Sequence, residues 1–218
     1  MAKQKVDSQV IEAASKPLEG LPRLARMYQD EIMPKLKSEK GIENPMAMPR
    51  LEKITINVNM GRHLDGTKVP ANVKNQVLDT LTKISGQKPM MIAAKKSVSN
   101  FKVREGYETA AKVTLRRERM WAFLDRMIHL AAPRIKDFRG LPDKAFDRQG
   151  SYSFGVTEQG IFPEMNMAEA TFTHGMNINL TFSNSNAELS RFVLGELGMP
   201  FRKPQEGRRG GAKSAVNN

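Results

Sequence analysis

The sequence offers few side chains at spacings that support catalysis. The nearest approach to a nucleotide-binding motif is GRRGGAKS at residues 207–214, which places Ala212 where the second glycine of G-x-x-x-x-G-K-[ST] is required. A phosphate-binding loop of this kind also needs a strand before it and a helix after it, and the sequence predicts neither. A phosphotransferase built on this segment would need nucleotide affinity, and we expect no enzymatic activity.

Metal and thiol chemistry are equally poorly supported. His63, His129 and His174 are far apart in the sequence and lack the spacing of metal ligands. The chain contains no cysteine, which excludes disulfides, cysteine-ligated zinc and thiol catalysis. We therefore expect no metal and no cofactor.

Positive charge is the strongest chemical signal. The 218 residues include 35 Lys and Arg against 23 Asp and Glu, which gives a net charge of +12 and a pI near 10.0. A polyanion is the expected partner, with nucleic acid ahead of an anionic membrane surface. Half of the net charge falls within residues 86–119. No apolar stretch approaches the roughly 18 residues of a membrane span, and the N-terminal segment carries acidic residues where a signal peptide would need an apolar core, so we expect a cytoplasmic protein.

Apolar residues at spacings of three and four predict the helices that position this basic segment. They lie at residues 23–39, 72–85, 118–132 and 187–197. Pro34 should kink or restart the first helix, and the third must end before Pro133. Gly86 and Gly198 supply the stops of the second and fourth helices.

Alternating residues predict four strands, at 54–60, 111–116, 151–157 and 176–183. Each strand has one apolar face and one face of mainly Asn, Thr, Ser and Lys. Amphipathic helices can cover only the apolar face. We therefore predict an α+β fold, with a largely antiparallel sheet, helices packed on one face and an open polar face.

The open face has two interpretations. Many antiparallel sheets simply have a solvated side. Asn is disfavoured in strands, however, and its amide both donates and accepts hydrogen bonds, which suits ribose, phosphate and base edges. Because this face lacks the two or three exposed aromatics of sheets that stack single-stranded bases, recognition of folded RNA by shape and backbone fits it better.

Several sequence blocks in the same order carry a resemblance to a known family. The blocks are MPRLEKITIN, SGQKP, KKSVSNFKVREGY, AKVTLRRERMWAFLDRMI, APRIKDFRGL, FDRQGSYSFGVTEQGIFPE and MPFRK. Through these blocks the chain resembles bacterial large-subunit ribosomal protein five over residues 24–203. The resemblance implies a non-enzymatic protein that binds 5S rRNA in the central protuberance.

The resemblance implies positions for the 5S rRNA contacts. They correspond to Asn57 in KITIN, Gln87 in SGQKP and Thr114 in KVTLR. Lys112 and Arg116 flank Thr114 on the same predicted strand face, and we add them as phosphate contacts. Family members read N-M-G-x-G after the first strand whereas this chain reads NVNMGRH, so Asn59 could take the role given to Asn57.

The resemblance also implies two further contacts on the ribosome. A protruding loop near residues 93–106 would touch the P-site tRNA, and we expect a mobile, non-periodic projection. Phe101 would either stack on RNA or anchor the loop to the sheet, and a lone aromatic favours anchoring. An intersubunit bridge to small-subunit ribosomal protein thirteen would use the basic segment after the third helix, which is too polar to be core. The predicted tRNA contacts are Lys95, Lys96, Ser97, Phe101, Lys102 and Arg104, and the predicted bridge residues are Arg134, Lys136, Arg139 and Lys144.

The resulting prediction is one RNA-binding domain at residues 23–203, between a flexible extension at 1–22 and a basic disordered tail at 204–218. The resemblance implies a ribosome-bound protein that is not a homo-oligomer, and its partners would be 5S rRNA, 23S rRNA, P-site tRNA and other central-protuberance proteins. A free-standing RNA chaperone or regulator using the same sheet face is the alternative. One copy per large subunit in sucrose gradients would distinguish the ribosomal component.

Overall fold

The strands in which polar and apolar residues alternate form one sheet, and the helices cover its apolar face. The computed structural model describes residues 21–168 and 170–202. Apart from Leu21 and Pro22, the predicted extensions at 1–22 and 204–218 lie outside the described residues, as does the segment 207–214. The helices are α1 Arg23–Met27, α2 Met33–Lys40, α3 Ala71–Ser85, α4 Arg117–Arg126 and α5 Ala187–Glu196, and the strands are β1 Arg50–Asn59, β2 Met90–Ala93, β3 Glu108–Leu115, β4 Tyr152–Val156 and β5 Met176–Ser183.

The sheet is five-stranded, with the order β2-β3-β1-β5-β4 and antiparallel pairing between all neighbours. Ile54, Ile56 and Val58 of β1 are fully buried, whereas the residues between them are half-buried. The same alternation holds along β3, β4 and β5. The predicted α+β class and the antiparallel sheet are confirmed.

The helices pack against the apolar face of the sheet. α3 lies against β3, α4 lies against β1, and α1 packs on α4. One hydrophobic cluster runs from Leu24 in α1 to Met199 after α5 and includes the inward residues of every strand except β2. The opposite face keeps its polar residues half-buried or exposed, so it can be reached by a partner.

Both predicted proline breaks are accommodated by a widened helical turn. A π turn at Tyr28–Ile32 joins α1 to α2, and the Met33 N–H donates to the Tyr28 carbonyl just before Pro34. A second π turn follows α4, where the Ala132 N–H donates to the Met127 carbonyl just before Pro133. The extra residue in each turn relieves the clash between a proline ring and the preceding carbonyls. The third predicted helix ends at Ala131, before Pro133 as expected, and a separate 3₁₀ turn at Ala132–Arg134 follows it.

The strand β2 was not predicted from the sequence. Only four residues long, it pairs Met90 with Lys112 and Met91 with Ala111 at the edge of the sheet. Its side chains do not alternate between apolar and polar. β2 is a strand because its backbone pairs with β3. Backbone pairing alone does not require apolar and polar residues to alternate in the sequence, so no such pattern could predict β2.

Candidate nucleic-acid interface

The open face of the sheet brings several of the predicted RNA contacts together. Strand pairing places Asn57 opposite Lys112 on β3 and opposite Asn177 on β5. The next row places Thr55 opposite Thr114 and Asn179. We call the set of Asn57, Thr55, Lys112, Thr114, Asn177 and Asn179 the platform.

Asn57 and Lys112 are free to meet a ligand. Within the described part of the chain, the Asn57 side chain makes no hydrogen bond and Lys112 makes no ion pair. Both residues are half-buried, which limits their rotamers without removing their polar ends from solvent. An amide and an ammonium held in this way can donate hydrogen bonds to ribose and phosphate oxygens.

Asn59 differs from Asn57 because its side chain is already engaged. Its Oδ1 accepts a 2.8 Å hydrogen bond from the Gly61 N–H in the turn after β1. Asn59 therefore stabilises the end of the strand, whereas Asn57 lies in the middle of the platform. This difference favours Asn57 as the RNA contact.

Gln87 reaches the platform from a helix end. α3 ends at Gly86, whose φ of +65° suits glycine, and the Gly86 N–H donates to the Thr82 carbonyl. The chain then turns so that Gln87 Nε2 lies 3.4 Å from the Thr114 carbonyl oxygen. Gln87 and Thr114 thus share one corner of the platform, next to β2.

Arg116, which we predicted as a phosphate contact, is paired with a carboxylate in the free protein. It follows the last residue of β3 in extended conformation, and its Nη1 lies 3.0 Å from Glu52 Oε1. The hydrogen bond from Arg116 lowers the pKa of the Glu52 carboxyl. Both side chains are exposed, and such a pair contributes only about 0.2–1 kcal/mol, so RNA phosphate can compete for Arg116.

The predicted tRNA loop is a hydrogen-bonded hairpin that extends β2 and β3. Val98 and Val103 exchange backbone hydrogen bonds of 2.9 and 3.2 Å, and the Ala94 N–H donates to the Tyr107 carbonyl. Ser97 Oγ accepts a hydrogen bond from the Glu105 N–H. We call residues 94–107 the hairpin. The predicted projection thus carries one isolated β-bridge, between Val98 and Val103, and its mobility stays a prediction.

The cations of the hairpin are available for binding. Lys95, Lys96, Lys102 and Arg104 are all exposed, and none of them forms an ion pair within residues 21–168 and 170–202. The base of the hairpin is fixed by Lys68, whose Nζ lies 5.2 Å from the centroid of the Tyr107 ring. The hairpin therefore presents four unpaired positive charges on a defined backbone.

Phe101 does not anchor the loop to the sheet, although we expected this of a lone aromatic residue. Its side chain is 72% exposed at the tip of the hairpin, in the 3₁₀ turn Ser99–Phe101. The turn closes with the Lys102 N–H donating to the Ser99 carbonyl, and Lys102 has a φ of +52°. The Phe101 ring is therefore presented to solvent and leaves the sheet uncovered.

The predicted bridge residues are exposed on a structured segment. Arg134, Lys136, Arg139 and Lys144 have no ion-pair partner among the described residues. Leu141 between them is buried, and its backbone pairs with the C-terminal segment, because the Leu141 N–H donates to the Pro200 carbonyl. The expectation that the whole segment is too polar for the core is therefore wrong at Leu141. The structure does not gather the four cations: Arg134 and Lys136 border a depression beside Val156, and Lys144 precedes the segment that pairs with the start of β4.

Two histidines that are distant in sequence lie near one aromatic ring. The Phe172 ring centroid is 4.4 Å from that of His63 and 5.7 Å from that of His174. Burial lowers the pKa of His174, and the nearby His63 lowers it further, so His174 stays neutral at neutral pH. No group of three or more potential metal ligands occurs among the described residues.

Two glutamines that the sequence analysis missed hold the loop that carries these rings. Fully buried Gln159 donates to the Phe172 carbonyl and accepts a 2.7 Å hydrogen bond from the His174 N–H. Gln76 of α3 donates to the same carbonyl at 2.9 Å. Nothing in the local sequence identifies these roles, since the partners are 13 and 96 residues away.

The comparisons with known proteins agree on one family. Residues 44–104 match the family model described as "Ribosomal protein L5", and residues 108–201 match the model that describes the C-terminus of the same ribosomal family. None of the helices in the described range is long and apolar enough to cross a membrane.

Relatives named "Large ribosomal subunit protein uL5" cover most of the chain. The protein of Bdellovibrio bacteriovorus is 47% identical over 181 residues, which is 83% of this chain and 99% of the relative. Those of Wolinella succinogenes and Helicobacter pylori strain G27 are each 45% identical, again over 83% of this chain and over 96% and 97% of their own lengths. This chain belongs to the bacterial ribosomal protein L5 family, whose members are structural, non-enzymatic components of the large ribosomal subunit.

Proposed function

We propose that this chain anchors 5S rRNA in the large subunit through the open face of its sheet. The observation that carries the proposal is the platform itself. Asn57 and Lys112 lie side by side with no side-chain partner among the described residues, and Gln87 borders Thr114. Amides, a hydroxyl and an ammonium on a rigid surface suit the ribose and phosphate groups of a folded RNA.

The shape of the platform also favours a folded RNA. Apart from Lys112, the platform residues of β1, β3 and β5 have short side chains, and Gly155 of β4 has none beyond hydrogen. A double-helical RNA can therefore lie close to the backbone of the strands. A stack of single-stranded bases would need several exposed aromatics, whereas Phe101 is the one aromatic residue among the large exposed hydrophobics of the described part.

Alanine substitutions at Gln87 and Thr114 test this function. Each change should weaken binding of isolated 5S rRNA by roughly 1–3 kcal/mol, because the RNA group left behind is desolvated and unpaired. Both residues are only half-buried, so the free energy of unfolding should change little. Filter binding of full-length protein to 5S rRNA gives the affinities, and thermal unfolding is the control.

Parental affinity in both alanine variants would contradict the platform as the 5S rRNA site. The same measurement on Ser183→Ala provides a matched control. Ser183 is half-buried on β5 at the far end of the sheet from the hairpin, and its hydroxyl donates only a long 3.4 Å hydrogen bond to the Arg50 carbonyl. This variant should bind 5S rRNA like the parent.

We also propose that the hairpin contacts the P-site tRNA. Four exposed cations without an ion-pair partner among the described residues support this role, because Lys and Arg bind RNA through its phosphates. Ser97 contributes to the shape of the hairpin, since its hydroxyl accepts the Glu105 N–H. The chain then acts as a single copy next to 5S rRNA, 23S rRNA and other proteins of the central protuberance.

We propose that the basic segment at residues 134–144 contacts small-subunit ribosomal protein thirteen in an intersubunit bridge. Its cations are exposed and unpaired among the described residues, and Leu141 fixes the segment to the core. Arg139 and Lys144 project from the part that the C-terminal backbone supports.

Charge reversal at the bridge gives a separate prediction. The double variant Arg139→Glu/Lys144→Glu should weaken subunit association roughly 3- to 30-fold at limiting magnesium, because two attractive surface contacts become repulsive. The same reversal at the exposed Lys37 and Lys40 of α2 is the control and should leave association unchanged. Light scattering measures the association, and equal curves for the two double variants would refute the assignment.

A further inference from the structure

A broad depression lies between the hairpin and the end of the sheet. It has a volume of about 1130 Å³, and we call it the basin. Asn57, Asn177 and Gly155 form its floor, the tip of the hairpin forms one wall, and the turn that carries Arg62 and His63 forms another. Small-molecule pockets span roughly 300–1,000 Å³, so the basin can hold more than one compact group.

The charge of the basin has one sign. Arg62 and Lys102 are its charged lining residues, and no carboxylate lines it. The chain as a whole carries 23 Asp and Glu, so their absence from this lining favours an anionic ligand. Four asparagines, Asn57, Asn59, Asn100 and Asn177, add donors and acceptors suited to base edges.

Phe101 is the one large aromatic surface in the wall. Its ring lines the basin while remaining 72% exposed, and the hydrogen bonds at Val98, Val103 and Lys102 hold the turn that carries it. The αL conformation of Lys102 costs about 1–2 kcal/mol for a residue with a side chain. Local strain of this kind is typical of functional sites, and Lys102 directly follows the aromatic residue of this wall.

The wall that contains His174 has a buried polar atom without a partner and a loop that hydrogen bonds hold in place. His174 is only 6% exposed, and its Nε2 has no hydrogen-bond partner among the described residues. Gln159 and Gln76 fix the loop beside it. On the floor, a Cβ at Gly155 would lie 3.3 Å from Asn177 Oδ1, so glycine leaves a flat area next to that amide.

We propose that the basin receives an unstacked nucleotide of a bound RNA. Its base stacks on Phe101, its edge meets the asparagine amides of the floor, and its phosphates lie near Arg62 and Lys102. Unstacked bases on aromatic rings are the usual means of sequence recognition in RNA complexes. The inference rests on the proposed function, because the same sheet end carries the platform and the same hairpin carries the tRNA contacts. The nucleotide comes from 5S rRNA or from the P-site tRNA.

Three substitutions at Phe101 separate stacking from simple apolar contact. Phe101→Ala and Phe101→Leu both remove the aromatic face, whereas Phe101→Tyr keeps it. Base stacking contributes about 1–3 kcal/mol per base, which corresponds to a roughly 5- to 150-fold loss of affinity. We expect this loss for Ala and Leu, and an affinity within about twofold of the parent for Tyr. The side chain is exposed, so the fold should be unaffected.

Two separate binding measurements determine which RNA supplies the nucleotide. One arm measures isolated 5S rRNA with full-length protein, and the other measures P-site tRNA on ribosomes assembled with each variant. Ultraviolet crosslinking of the parental complexes, followed by mass spectrometry of the linked peptide, should join Phe101 to a base of the RNA whose affinity falls. Gly155→Val adds bulk to the floor without touching Phe101 and should weaken the same RNA.

Parental affinity of Phe101→Leu for both RNAs would overturn the inference. This failure is distinguishable from failure of the platform. If Gln87→Ala and Thr114→Ala weaken 5S rRNA while the Phe101 variants do not, the platform stands and the basin is empty of RNA. If only the Phe101 and Gly155 variants lose affinity, the basin binds a nucleotide and the platform assignment fails.

Discussion

Replacing Asn57 by aspartate is expected to weaken binding of 5S rRNA by about 100-fold or more. The two side chains have nearly the same shape, so the change exchanges an amide donor for a negative charge at the centre of the platform. One donor to RNA is lost, and a carboxylate is placed against the phosphate backbone. Like charges brought together at an interface cost several kcal/mol, and about 2.7 kcal/mol already corresponds to 100-fold.

Lys112 makes this prediction sharper. It lies directly opposite Asn57 on β3 and would form an ion pair with the new carboxylate in the free protein. The pair would withdraw an ammonium that we assign to phosphate, so one substitution removes two contacts. The salt dependence of RNA binding should therefore also become less steep.

Gln29→Glu is the matched control for the same amide-to-carboxylate change. Gln29 is exposed on the π turn between α1 and α2, on the side of the molecule that carries the helices. Its variant lowers the net charge equally and should bind 5S rRNA within about twofold, because a single distant charge is screened at physiological salt. Equal affinities of the Asn57 and Gln29 variants in filter binding would refute the role of Asn57.

Asn59→Asp addresses the choice between the two asparagines. The Asn59 oxygen already accepts the Gly61 N–H, and aspartate preserves that acceptor, so the turn remains intact. We expect a smaller loss than at Asn57, since Asn59 lies at the end of the strand. The opposite order of the two losses would assign the RNA contact to Asn59.

The sheet could be predicted from the sequence because burial on one face imposes a period of two. The strands β1, β3, β4 and β5 contribute residues to the core, and each shows this pattern. The polar residues Asn57 and Thr114 lie on the open face as expected. β2 could not be predicted, because a four-residue edge strand is defined by its neighbour. The pattern therefore reveals which residues face the core but not the full width of the sheet.

The site was only partly predictable for a related reason. Contacts within one strand face follow from alternation, whereas contacts between loops depend on the path of the whole chain. His63 and His174 are distant in the sequence and their proximity was not predicted, yet both rings lie near Phe172. The exposure of Phe101 was also missed, because the hydrogen bonds that turn its ring outward depend on the pairing of Val98 with Val103.

Replacing Lys95 and Lys96 together by alanine is expected to weaken P-site tRNA binding to assembled ribosomes about 30-fold at low salt. The estimate assigns roughly 1 kcal/mol to each of two phosphate contacts. Affinity for isolated 5S rRNA should stay near the parental value, because the two lysines lie on the hairpin and outside the platform. Retention of tRNA on ribosomes carrying the variant measures the effect.

The salt dependence identifies the physical origin of the loss. If two phosphate contacts disappear, the log–log slope of tRNA affinity against salt should fall by roughly 1.4–1.8, and the difference from the parent should vanish at high salt. Lys37→Ala/Lys40→Ala removes the same charge from α2 and should change neither the affinity nor the slope. The backbone of the hairpin is held at Val98, Val103 and Ala94, so the Lys95/Lys96 variant should fold like the parent. Loss of 5S rRNA with unchanged tRNA behaviour in the Lys95/Lys96 variant would instead place the hairpin on 5S rRNA.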